Sequence, residues 1–170
     1  MRIVAGEWRG RIIKAPAGTQ VRPTRDRVRE AWMSIVASRL PDARVLDLCA
    51  GSGALGLEAL SRGASFAQFV ETNPKTVAIL KANLATLGGG DRAGVFVGDA
   101  VKYVMSLGEQ SFDVAFADPP YATDIAVRLA QRWLEVPFAT LLSVEHAFTD
   151  VMPPGGDTRR YGTTSITFYR

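Results

Sequence analysis

Val45-Leu46-Asp47-Leu48-Cys49-Ala50-Gly51-Ser52-Gly53-Ala54-Leu55-Gly56 decides how the rest of the chain is read. A short apolar strand runs into glycines spaced G-x-G-x-x-G, and the glycines lead into a helix over 55–61. Glycine after a strand lets the backbone turn sharply and approach a ligand closely. Downstream the alternation continues. Strands are expected at 66–71, 95–97, 112–117 and 140–145, with helices at 74–87, 100–107 and 125–134. Two further strands are expected at 158–161 and 165–169. Repeated β-α units of this length imply an α/β fold with a mainly parallel sheet and helices on both faces. In such sheets ligands bind at the carboxyl ends of the strands, near the point where strand order reverses. Asp47, Glu71, Asp99 and Asp118 all fall at or just past strand ends.

Upstream of Arg44 the pattern is different. Arg2-Ile3-Val4 and Arg11-Ile12-Ile13-Lys14 flank a turn around Gly6 to Gly10 and are expected to form a β-hairpin. Pro23-Thr24 then opens a helix, with Thr24 as a cap and Val28, Ala31, Trp32, Ile35 and Val36 at helical spacing. Residues 1–44 hold ten basic and four acidic side chains, +6, and the remainder carries −3. A basic extension (1–43) on a mildly acidic core (44–170) suits either a polyanionic partner or a solvated face. The 170 residues fit one domain, and 47% of them are apolar, enough for a core without disulfides. One cysteine supports neither a disulfide framework nor a thiolate metal site, so no metal is expected. With no membrane-length apolar run and no signal-like start, a cytoplasmic location is expected.

The glycine loop alone fits a nicotinamide or flavin fold as well as a methyl-transfer fold. Asp47 tilts the choice, because a carboxylate beside the loop repels a pyrophosphate but accepts hydrogen bonds from an amino group or from loop amides. Glu71, followed by Thr72, is placed to take both ribose hydroxyls. Asp99, followed by Ala100, is placed to accept from an adenine amino group. Together with Ala50, Gly51, Ser52, Gly53 and Ala54, these residues describe a site for S-adenosylmethionine better than one for a dinucleotide.

Asp118-Pro119-Pro120-Tyr121 follows the fourth strand. Two prolines stiffen the turn and remove two backbone donors, leaving carbonyl acceptors. Asp118 adds a carboxylate, and Tyr121 adds an aromatic face. An exocyclic amine on a base is a poor nucleophile, since its lone pair is delocalised into the ring. Acceptors that hold its hydrogens aim that lone pair and stabilise the developing positive charge. A stacked ring fixes the base plane. These four residues are the candidate catalytic set, with Asp118 also facing the cofactor. Cys49 reads as a small buried thiol and His146 as a surface or strand-end residue. Trp8, Trp32 and Trp133 read as packing residues, with Trp8 retaining a stacking alternative.

These residues resemble one family over essentially the whole chain: the bacterial small-subunit (16S) ribosomal RNA guanine-N2 methyltransferases. The similarity lies in Arg2–Arg11, in Arg22-Pro23-Thr24-Arg25-Asp26-Arg27-Val28-Arg29-Glu30, and in Asp47 with Ala50–Gly63. Asn83-Leu84, Asp118–Tyr121 and Tyr161-Gly162 also match. The resemblance implies a class I, seven-stranded methyltransferase sheet with an RNA-docking extension. It also implies S-adenosylmethionine as methyl donor and a guanine N2 in ribosomal RNA, naked or in an assembled particle, as acceptor. By motif position the glycine loop would hold the methionine part, Glu71 the ribose and Asp99 the adenine. Arg9, Arg11, Lys14, Arg22, Arg25 and Arg27 are the candidate RNA contacts. The stretch from His146 to Asp157 is shorter than the family pattern. Three alternatives stand beside this reading. A DNA adenine-N6 methyltransferase shares the turn but needs a target-recognition region for which the chain lacks room. A dehydrogenase would need a proton relay that is not evident, and a non-catalytic RNA-binding module would not depend on Asp118.

Overall fold

The computed structural model describes residues 1–16 and 23–170, and in the first helix the side chains from Asp26 onward. Seven strands form one sheet: β1 (Arg44–Leu48), β2 (Phe66–Glu71), β3 (Ala93–Val97), β4 (Phe112–Ala117), β5 (Ala139–Ala147), β6 (Asp157–Tyr161) and β7 (Thr164–Tyr169). Their order is β3-β2-β1-β4-β5-β7-β6. The first five are parallel, and β7 runs antiparallel between β5 and β6. Strand order therefore reverses between β1 and β4, and the crevice at their carboxyl ends is the expected ligand position.

Among the described residues, five α-helices pack on this sheet: α1 (Pro23–Val36), α2 (Ala54–Ser61), α3 (Pro74–Leu87), α4 (Ala100–Met105) and α5 (Ile125–Glu135). One face is covered by α1, α2 and α3, with Met33, Leu57 and Leu80 buried against Phe69, Phe116 and Phe168. The other carries α4 and α5, with Val104, Leu129 and Trp133 against Leu46, Ala115 and Tyr169. Trp32 anchors α1 by donating its indole N–H to Ser143 Oγ at 2.8 Å, and its ring meets Phe116 edge-on. Trp133 likewise donates to the Ala139 carbonyl at 2.7 Å. α3 owes its clear limits to both ends. Asn73 Oδ1 accepts from the Lys75 amide, Pro74 takes the first turn, and Gly88 closes the helix at φ 70°.

The amino-terminal segment departs from expectation. It turns back on itself but forms a single antiparallel bridge, Arg2 with Ile12, rather than two strands. Its apolar residues Ile3, Trp8 and Ile13 are buried in the same core as α1–α3. Ile3, Gly10 and Ile13 donate across the turn to the Arg11, Ile3 and Met1 carbonyls, and other backbone donors are taken by helix side chains. Val4 and Ala5 donate to the two oxygens of Glu58, at 2.9 and 3.0 Å, and Trp8 donates to Ser61 Oγ at 2.9 Å. Glu58, only 1% exposed, also pairs with Arg62 Nε at 2.9 Å. The extension is thus an integral part of the domain core. Trp8 is a packing residue, 4% exposed, with the Arg92 guanidinium 5.0 Å from its ring centroid. The first helix begins at Pro23, one residue before the expected cap Thr24. Among the described residues, no helix is long and apolar enough to cross a membrane.

Candidate active site

The glycine loop is shaped by close packing. Gly53 has φ +84°, and a Cβ there would run into Leu80. A Cβ on Gly56 would run into the Phe69 ring, so this glycine lets α2 lie directly on β2. Cys49 and Gly51 also adopt left-handed backbone, at φ 59° and 57°. The Ala50 amide donates to the Val70 carbonyl at 3.0 Å, fixing the loop to the end of β2. Ser52 is buried, and its carbonyl accepts from Asn83 Nδ2 at 3.0 Å. Ala54 begins α2.

Carboxylates from four strand ends converge around this loop. Asp47 is 1% exposed, and its Oδ2 accepts from the Gly56 amide at 2.9 Å. Burial pushes its carboxyl well above the usual range, the Gly56 bond opposes this, and the nearby Asp118 and Glu71 charges add to it. Of the two roles open to Asp47 in the sequence, holding a loop amide is the one seen. Glu71 Oε2 accepts from the Gly51 amide at 2.9 Å, and its Oε1 accepts from the Asn73 amide at 2.9 Å and from Thr72 Oγ1 at 3.4 Å. Oε2 keeps a second acceptor site for a hydroxyl, while a hydroxyl on Oε1 would replace the long Thr72 contact. Asp99 Oδ1 caps α4 by accepting from the Lys102 amide at 2.8 Å, and Ala100 is buried behind it. Burial pushes the Cys49 thiol up to about 12, reinforced by Glu71, Asp47, Asp118 and Asp99. All four carboxylates lie within electrostatic reach of this one thiol, at one end of the glycine loop. The shift keeps the thiol protonated and non-nucleophilic.

Asp118 is exposed at the end of β4, Pro119 is buried beneath it, and Pro120 and Tyr121 face solvent. The Tyr121 ring is 46% exposed, and its hydroxyl donates to Glu145 Oε1 at 2.9 Å. Burial holds the phenol above its usual value, so it remains a donor. Glu145 Oε1 also accepts from Thr164 Oγ1 at 3.0 Å, which ties the turn to β5 and β7. Glu145 and Thr164 were not singled out in the sequence, since 24 and 19 residues separate the partners in these bonds. His146 is at the end of β5, the second of its two expected places, and is buried there: Nδ1 lies 2.9 Å from the Ala147 carbonyl and Nε2 2.8 Å from Thr167 Oγ1. Both ring nitrogens are satisfied within the fold.

The candidate cations divide between two ends of the molecule. Arg27 is exposed in the first turns of α1. α1 leads down to the start of β1, so these turns rise toward the carboxyl edge of the sheet. Arg9 is exposed at the amino-terminal turn, and Arg11 donates to the Thr86 carbonyl at 2.8 Å, in the last turn of α3. Helices following parallel strands run back to the opposite edge, so Arg9 and Arg11 sit away from the acidic pocket. Lys14 lies between, its amide donating to Asn83 Oδ1 at 2.8 Å and its carbonyl accepting from Asn83 Nδ2 at 2.9 Å. Arg22 and the Arg25 side chain lie outside the described residues.

The family described as conserved hypothetical protein 95 matches residues 1–170. The chain belongs to that family. A curated relative, ribosomal RNA small subunit methyltransferase D of Escherichia coli (strain K12), is 43% identical over 71% of this chain and 60% of its own length. The chain therefore spans less than two thirds of that relative in the matched region. The enzyme of the same name from Haemophilus influenzae is 32% identical over 100% of this chain and 92% of its own length. Among solved structures, yhhF of Escherichia coli, described as a candidate methyltransferase, superposes with a TM-score of 0.84. It is 33% identical and covers 99% of this chain and 96% of its own. The family fold is thus the seven-stranded class I methyltransferase sheet found here.

Proposed function

We propose that the protein transfers a methyl group from S-adenosylmethionine to the exocyclic N2 amino group of a guanine in small-subunit ribosomal RNA. The observation that carries this is the meeting of Asp47, Glu71, Asp99 and Asp118 across the β1–β4 reversal, with Pro119-Pro120-Tyr121 beside them. A pocket ringed by four carboxylates suits a cationic ligand with an amino group, a ribose and an adenine, and repels a pyrophosphate. The names of the family's curated relatives support the choice of ribosomal RNA.

S-adenosylmethionine supplies an electrophilic methyl group on a sulfonium. The chain supplies the geometry. Asp47 holds the Gly56 amide and so fixes the loop under the methionine part. Glu71 would take the ribose hydroxyls, one on the acceptor site left beside Gly51 and one in place of the long Thr72 contact, and Asp99 would take the adenine amine with the oxygen not used in capping α4. Asp118 and the carbonyls of the double-proline turn accept the hydrogens of the guanine amine. The nitrogen lone pair would then be aimed at the methyl. The N–CH3 bond would form as the S–CH3 bond breaks, and S-adenosylhomocysteine would leave. The surplus amine proton would pass to the Asp118 carboxylate or to water. The Tyr121 ring, held by Glu145, stacks on the base. The fixed acceptors and the in-line geometry carry the reaction, and no covalent enzyme intermediate is required.

Arg27 and Lys14 lie where RNA entering the pocket would pass, whereas Arg9 and Arg11 form a remote contact for a folded or particle-bound RNA reaching across the domain. The setting is the cytoplasm. Incubation with methyl-labelled S-adenosylmethionine and ribosomal RNA from cells lacking the enzyme is expected to label guanine N2. Label found only on DNA adenine would overturn the substrate assignment. Saturable NAD binding without S-adenosylmethionine binding would overturn the cofactor assignment.

A further inference from the structure

Beyond the acidic pocket, the same edge of the sheet carries an aromatic–guanidinium stack. Phe148 is the first residue past β5, and its ring is 43% exposed. The Arg160 guanidinium, near the end of β6, lies 4.1 Å from the centre of that ring. Its Nε donates to the Gly162 carbonyl at 2.9 Å. One contact sets the plane of the guanidinium and the other sets its direction. Arg160 forms no ion pair among the described residues, so its charge and terminal N–H groups face outward. The Phe148 amide donates to the Thr163 carbonyl at 3.2 Å, and the next residue, Thr164, is bonded to Glu145, the partner of Tyr121. The stack and the Tyr121 ring are therefore built on one hydrogen-bonded framework. Two strand spacings separate β5, which holds Tyr121 through Glu145, from β6, which carries Arg160, roughly 10 Å, a span that one or two nucleotides of unstacked RNA cover.

We propose that Arg160, held flat by Phe148, is a platform for the RNA nucleotide flanking the target guanine. The base stacks on the outer face of the guanidinium, and a backbone phosphate is taken by its free N–H groups. A base presented to the pocket must leave its helix, and its unpaired neighbours are then open to stacking on an arginine plane. A solvated arginine would not need an aromatic backing and a backbone clamp. This inference rests on the proposed RNA substrate and adds a second contact that the sequence motifs do not contain.

The test compares Arg160→Gln, Arg160→Lys and Phe148→Leu with the wild type in two assays. One is binding of a fluorescein-labelled single-stranded RNA, and the other is methylation of ribosomal RNA. Arg160→Gln is expected to weaken RNA binding and raise the RNA KM by about 5- to 100-fold, with S-adenosylmethionine affinity unchanged. Its salt dependence should lose about 0.7 in log–log slope, one single-strand phosphate contact. Arg160→Lys should keep the slope but lose most of the affinity, because an ammonium offers charge without a plane. Phe148→Leu should fall between them. Wild-type affinity, KM and slope in Arg160→Gln and Arg160→Lys would overturn the platform. A wild-type protein that binds this RNA, with the variants weakened, but labels no ribosomal RNA would overturn the proposed reaction and leave the platform standing.

Discussion

Asp47 and Glu58 are both carboxylates with 1% of their surface exposed, yet they sit in opposite electrostatic company. Glu58 receives two backbone amides and the Arg62 guanidinium, all within 3.0 Å. Asp47 receives the Gly56 amide and faces other carboxylates, and its proton affinity is raised. A buried charge matched on every side is a fastener. One held among like charges keeps an electrostatic demand that a ligand can meet. The same contrast separates the two ends of the sheet. The amino-terminal segment closes its polar groups on α2 and α3, while the carboxyl edge gathers acids around a loop of glycines.

The largest effect expected is at the carboxyl edge. Asp118→Ala should lower turnover by at least about 10²–10³-fold, the cost of removing one preorganised group that meets developing charge. Radiolabel transfer measures the rate, and calorimetry should show S-adenosylmethionine affinity within a few-fold of wild type. Turnover near the wild-type value would remove Asp118 from the chemistry and leave the acidic ring as a structural feature.

Glu58→Ala probes the other end. Removing it leaves Arg62 and two backbone amides without their acceptor, a change that costs about 3–5 kcal/mol in buried ion pairs. Urea unfolding should show that loss, while turnover per folded molecule stays close to wild type. A stable Glu58→Ala protein would mean that the burial of Ile3, Trp8 and Ile13 and the bonds to Ser61 and Asn83 suffice to hold the amino-terminal segment.

These two residues also mark how far the sequence could be read. Helix α3 was legible to both ends, because Asn73-Pro74 and Gly88 are local signals. β3 was shorter in expectation, since Ala93 and Gly94 have little strand preference and are set by pairing with Ala67 and Gln68. The acids at the strand ends could be picked out because a parallel sheet fixes where a strand end lies. The fastening of the amino-terminal segment could not. Its partners Glu58, Ser61 and Asn83 lie 53 to 69 residues away and carry no periodic signal. The expected hairpin is limited to one bridge with backbone bonds beside it, because Val4, Ala5 and Lys14 donate to Glu58 and Asn83 instead of across the turn. Glu145 and Arg160 were missed for the same reason, as their roles arise only when β5, β6 and β7 are assembled.

Asp47→Asn sharpens the contrast with Glu58. Because burial raises the folded-state pKa of Asp47, the folded protein keeps a proton that the unfolded chain has released. Stability therefore falls as pH rises from the usual carboxylate value of 3.8 through the folded value. Asparagine retains an oxygen for the Gly56 amide and removes that fall. The variant should melt a few degrees higher at neutral pH and bind S-adenosylmethionine about tenfold more weakly. In the wild type, cofactor affinity should rise with pH across the same window, because a cationic ligand favours ionised Asp47, and in the variant it should be flat. A variant that melts lower and keeps its affinity would make Asp47 a fastener like Glu58.

The smallest effect concerns the two groups of cations. On the proposed RNA path Arg27, near the carboxyl edge, is a phosphate contact, so Arg27→Gln should reduce the salt slope by about 0.7 even on a short single strand. Arg9 and Arg11 lie at the far edge, and Arg11 is already engaged with Thr86. Their joint replacement by glutamine should leave the slope on a short RNA unchanged. On folded ribosomal RNA or an assembled particle it should lower the slope by about 1.4 to 1.8, two phosphate contacts. A lowered slope on the short strand would put the RNA path along the amino-terminal segment. An unchanged slope on every substrate would make Arg11 a cap for α3 and Arg9 a solvated charge, and would confine recognition to the carboxyl edge.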